Sequence, residues 1–174
     1  MTDITHSLTG GSLGSLMQTA GYRVESVTDA TAGVTILRSA TSGLSFDIRM
    51  GNRLAGETEA YADFTFVTIF NVVGELPLAP VNAWNRSRRF ARLQIDSTIP
   101  DQKLLVLCMD VVVAGGVTAQ YLRHQIGIWD GVIQQLVPWL RDELSKLHAA
   151  GVVKTQAAIE SPHAVTDAGS AARA

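Results

Sequence analysis

Residues Pro80–Thr118, PVNAWNRSRRFARLQIDSTIPDQKLLVLCMDVVVAGGVT, decide how this chain is read. Pro80 suits the first turn of a helix, where its missing N–H would be unpaired anyway, and the helix is expected to cover Val81–Phe90. Ala91–Ser97 then alternates, with Leu93 and Ile95 on one face and Arg92, Gln94 and Asp96 on the other, which is the period of a half-buried strand. Ile99-Pro100-Asp101-Gln102 is turn chemistry. Lys103–Val113 follows as a nearly unbroken apolar strand, covered on both faces or covered on one by another subunit. Gly115-Gly116 ends it, and Thr118 can cap a long helix carrying Leu122, Ile126, Trp129, Val132, Ile133 and Leu136. Pro138 is expected to kink or divide that helix.

Upstream, Ser7–Ala20 has mostly helical spacing and stops at Gly21. Tyr22–Ser26, Val34–Ser39 and Leu44–Met50 return to a period of two, and Tyr61–Val73 alternates Phe64 and Phe66 against Thr65 and Val67. The order is α-β-β-β(-β)-α-β-β-α, without the strand–helix–strand rhythm of a parallel sheet. An α+β fold is expected, an antiparallel β-sheet with helices packed on one face. Residues 1–150 are read as a single domain. From Gly151 the chain becomes Ala, Thr, Ser and Gly with isolated charges, so residues 151–174 are expected to form a disordered tail.

A chain of 174 residues with 47% hydrophobic and 17% charged composition can bury a core without metal or disulfide support. Fourteen basic against sixteen acidic residues leave a net charge of −2, too little positive field to make nucleic acid the expected partner. The single cysteine, Cys108, excludes an intrachain disulfide and any multi-cysteine zinc site. Met1–Gly11 lacks the basic start and apolar run of a secretory leader, and no segment has the apolar length of a membrane span. The expectation is a soluble, cytoplasmic protein with no membrane association.

Val81-Asn82-Ala83-Trp84-Asn85, then Arg89-Phe90-Ala91-Arg92-Leu93, then Gly115-Gly116-Val117-Thr118, taken in this order, resemble the YbjN family, described as putative bacterial sensory-transduction regulators. The resemblance spans about Leu13–Leu140. It implies a fold similar to the class I chaperones of type III secretion, small proteins that often dimerise and bind extended segments of other proteins. It further implies a non-enzymatic regulatory or chaperone-like role, with a protein client or regulatory partner, and a homodimer. Unlike those acidic chaperones, this chain is nearly neutral.

The candidate site residues each have a plainer structural explanation beside the functional one. Asn82, Asn85 and Arg89 fall at helical spacings of three and four and can present amide and guanidinium groups to a partner; equally, the asparagines can satisfy nearby backbone while Trp84 anchors the core. Arg86, Arg88, Arg89 and Arg92 form a dense basic group able to pair with an acidic segment, or a solvated face neutralised by Asp96, Asp101 and Asp110. Asp110, inside an apolar strand, is expected to pair with one of these arginines. Gly127 and Gly131 leave a notch in the last helix that fits either a partner's backbone or ordinary packing on the sheet. Cys108 is expected to be buried and inert. No nucleotide loop, nucleophile elbow or metal-spaced His/Cys/carboxylate set occurs, so no catalytic residue, metal or cofactor is assigned. The alternative to partner binding is a small-ligand sensor or enzyme with a pocket roofed by Trp84 and lined by Asn82, Asn85 and Asp110.

Overall fold

A computed structural model of the chain describes residues 4–28, 34–56, 59–72, 76–98, 103–149 and 151. A two-residue strand β1 (Ile4–Thr5) precedes helix α1 (Gly10–Thr19), followed by strands β2 (Glu25–Thr28), β3 (Thr35–Thr41), β4 (Leu44–Met50) and β5 (Asp63–Val72). Helix α2 (Leu78–Ser87), strands β6 (Arg92–Asp96) and β7 (Lys103–Val112), a two-residue strand β8 (Val117–Thr118) and helix α3 (Ala119–Ala149) complete it. The expected α+β order holds, with its optional fourth strand present. Alternation at this scale missed the short β1–β8 pair, which is antiparallel.

β2 to β7 form one antiparallel sheet in the order β2-β3-β4-β5-β7-β6. Register sorts its side chains. Leu37, Ile48, Phe66 and Met109 are successive partners across β3, β4, β5 and β7, and all are buried in the main core. The row beside them, Glu25, Arg38, Asp47, Val67, Cys108 and Arg92, crosses all six strands on the opposite face. All three helices serve the first face. Trp129 of α3 stacks on Phe66 with centroids 5.3 Å apart and meets Phe46 edge-on at 5.7 Å. Gly14 of α1 is buried beside Leu37, where a Cβ would lie 3.9 Å from the leucine side chain. Trp84 of α2 packs against Trp139 of α3 at 4.9 Å. Aromatic pairs of this kind contribute beyond the area they bury.

The helix ends follow local chemistry. Thr9 and Ser12 form a reciprocal capping box at the start of α1, which offsets the glycines in its first half. Thr118 accepts from the Tyr121 N–H at 3.1 Å and caps α3, as expected. Pro138 does not divide α3, which runs for 31 residues through it. By that point the helix is held by Trp129, Ile133, Leu136 and Leu140 in the core, so tertiary packing outweighs one lost backbone hydrogen bond. The tail expected from residue 151 lies outside the described residues except for Gly151 itself.

Candidate functional site

The segment from α2 into β6 carries most of the sequence-derived candidates, and the structure separates them. α2 begins at Leu78, three residues before the expected start, with Pro80 still in its first turn, and ends at Ser87 instead of Phe90. Val81 and Trp84 are its buried residues, Trp84 only 1% exposed. Asn85 is directed at the sheet edge. Its amide donates to the Leu93 carbonyl at 2.8 Å and its carbonyl accepts from the Leu93 N–H at 2.9 Å. A single side chain thus satisfies both backbone groups that Leu93 turns away from β7, as a neighbouring strand would. Asn82 is exposed, and Arg89 lies beyond the helix end, so the three do not form one helical face.

The four arginines also divide. Arg92 projects from the helix-free face and donates to Asp110 at 2.5 Å, while Asp110 accepts from the Thr65 hydroxyl at 2.8 Å. The hydrogen bond and charge of Asp110, with Cys108 contributing, raise the Arg92 pKa still further. The expected ion pair of Asp110 is therefore present. Cys108 is half-buried and sits across the ladder from Arg92, more accessible than an inert core thiol. Asp96 is occupied by Thr98, whose N–H and hydroxyl hold its carboxyl below the ordinary aspartate range.

Arg86, Arg88 and Arg89 have no carboxylate partner among the described residues, and all three are exposed. Two of them lie over aromatic rings. The Arg88 guanidinium is 5.4 Å from the Trp84 ring centroid and that of Arg89 is 5.2 Å from Phe90. Phe90 itself is 60% exposed, with φ at +74°. The Ala91 N–H donates to the Arg89 carbonyl at 2.9 Å, closing a three-residue turn around it. That is the rare left-handed γ-turn, unfavourable for a residue with a Cβ. At the other end of α2, Leu78 is 63% exposed. Leu78, Asn82 and Arg86 are four residues apart and form a stripe leading to the corner.

Gly127 and Gly131 stand apart from this corner. Trp139, which touches Trp84, is twelve positions after Gly127, or about 18 Å along α3. A Cβ at either glycine would meet nothing within 4 Å, so the notch is not used for packing among the described residues. Trp129, Val132 and Ile133 turn to the sheet. Trp84 and Asp110 lie on opposite faces of the sheet, so the pocket imagined around Trp84, Asn82, Asn85 and Asp110 is not assembled. A small apolar cleft with a cavity volume of about 20 Å³ lies elsewhere, between Phe70, Val72, Leu76 and Leu105 and the α3 residues Leu140 and Leu144. Among the described residues no group of three or more His, Cys, Asp or Glu is placed to hold a metal ion. None of the described helices is long and apolar enough to cross a membrane.

Sequence reasoning missed Phe90 and Leu78. The sequence places Phe90 at the end of a helix, and nothing in a phenylalanine announces a positive φ.

The family model for YbjN, described as "Putative bacterial sensory transduction regulator", matches residues 12–142. The chain belongs to the YbjN family. Among solved structures it resembles YbjN from E. coli, described as a putative transcription regulator, with a TM-score of 0.54 and 17% identity. The match covers 82% of this chain and 92% of that one, a likeness of fold. None of the curated proteins matches. The YbjN span contains α2, the arginine corner, the Asn85 bridge and both helix glycines.

Proposed function

We propose that this chain is a non-enzymatic, chaperone-like regulator that acts by holding another protein at the α2–β6 corner. The observation that carries this reading is the set of three exposed, carboxylate-free arginines around a strained, exposed Phe90. Exposed strain of this kind is retained where a side chain has a task outside the fold. Arginine and an aromatic ring are also the residue types that dominate protein–protein hot spots.

The protein works as a homodimer, with the open notch at Gly127 and Gly131 as the subunit contact. Two glycines inside a helix each cost about 1 kcal/mol relative to Ala, and a partner helix approaching closely would offset that cost. Free Cys108 is compatible with the reducing cytoplasm, where we place the protein. Affinity capture from the native host tests the reading. Arg86→Glu combined with Arg89→Glu should remove the captured partner while the melting temperature stays constant; an unchanged partner set rejects the corner as the site. Light scattering should give twice the chain mass, and Gly131→Leu should halve it.

A further inference from the structure

Resting on that reading, we infer the chemistry of the occupant: an acidic, extended segment of another protein carrying two bulky apolar side chains about 15 Å apart. Three arginines fall within four residues at the end of α2, without a carboxylate partner among the described residues. Solvent and salt screen their mutual repulsion, and an incoming anion would relieve it further. Arg88 and Arg89 lie over the Trp84 and Phe90 rings, an arrangement that restrains these long side chains before a partner arrives. Arg88 donates to the Ser87 carbonyl at 3.4 Å, and the other guanidinium N–H groups can pair with carboxylates.

The apolar requirement comes from the two ends of the stripe. Leu78 and Phe90 are both more than half exposed. The ten residues of α2 between Leu78 and the corner span about 15 Å. An extended segment rising about 3.3 Å per residue covers most of this distance in four residues, an even spacing that places two apolar side chains on one side with an acidic one between them, over Asn82 and Arg86. Such a segment lies along the helix. It does not extend the sheet at Leu93, where Asn85 already occupies the backbone groups. A second copy of this chain is disfavoured here, because a two-fold contact at the corner sets arginines against arginines. Nucleic acid would find three unpaired arginines at this corner of a chain of net charge −2, and its phosphates make no use of two exposed apolar anchors.

The test uses the full-length chain and fluorescence anisotropy of a labelled glutamate-rich peptide with two leucines four residues apart. The same peptide with serines for leucines and a short DNA duplex complete the probe set. Saturable binding of the leucine peptide is expected, weaker by about tenfold or more for the serine peptide, which loses both apolar anchors. Arg86→Gln/Arg88→Gln/Arg89→Gln should reduce binding by about tenfold or more, and Phe90→Gly by about tenfold, with thermal melts confirming that each variant is folded. Equal binding of leucine and serine peptides, binding insensitive to these variants, or tighter binding of the duplex overturns the inference. If host capture depends on Arg86 and Arg89 while the leucine peptide does not bind, the partner-binding reading stands and this occupant is rejected.

Discussion

The inner side of α2 and the corner that follows it are adjacent in sequence and opposite in construction. Inward, Val81 and Trp84 are buried and Asn85 meets both backbone groups of Leu93. Outward, Leu78, Arg86, Arg88, Arg89 and Phe90 are exposed, and the three arginines have no carboxylate among the described residues. Satisfaction on one side and open valence on the other indicate which residues hold the fold and which are available to a partner. Arginine is not the distinguishing feature. Arg92, two residues past Phe90, is paired with Asp110 and belongs to the architecture.

Substitutions at increasing distance from the core should break this contrast in order of size. Trp84→Ala removes a buried indole that packs on Trp139, and should lower unfolding free energy by about 3–5 kcal/mol in a urea titration. Asn85→Ala leaves two backbone groups of Leu93 without their partner, at about 1–3 kcal/mol, and opens the β6 edge to strand pairing. Concentration-dependent aggregation of that variant, absent in the parent, would report the opened edge. Phe90→Gly goes the other way. It relieves the left-handed backbone and should stabilise the fold by about 1 kcal/mol while weakening peptide binding, so a destabilised Phe90→Gly would mean the ring supports the fold. Arg92→Ala should change stability least, by about 0–1 kcal/mol, because both members of its ion pair are more than half exposed.

The same contrast explains what was legible beforehand. Alternation places β6, and an almost unbroken apolar run between turn residues places β7, each within a residue of its ends; Leu93, Leu105, Leu107 and Met109 face the helices. Asp110 inside an apolar strand required a cation, and Arg92 supplies it. The end of α2 was not legible. Arg88 and Arg89 are good helix formers, and the chain leaves the helix at Arg88 through a γ-turn that residue preferences do not predict. The shared face of Asn82, Asn85 and Arg89 was wrong for that reason, since helical spacing applies only while the helix continues. β1 and β8 were too short to have a period.

That two-residue pairing has a mechanical consequence. Gly116, with φ at +97°, runs so close to the N-terminal strand that a Cβ there would lie 2.7 Å from Ile4 and 2.8 Å from His6. The following residues, Val117 and Thr118, pair with Thr5 and Ile4, and Thr118 caps α3. A load applied to the first residues is therefore passed to the opening turn of the longest helix, by a route that bypasses the main sheet.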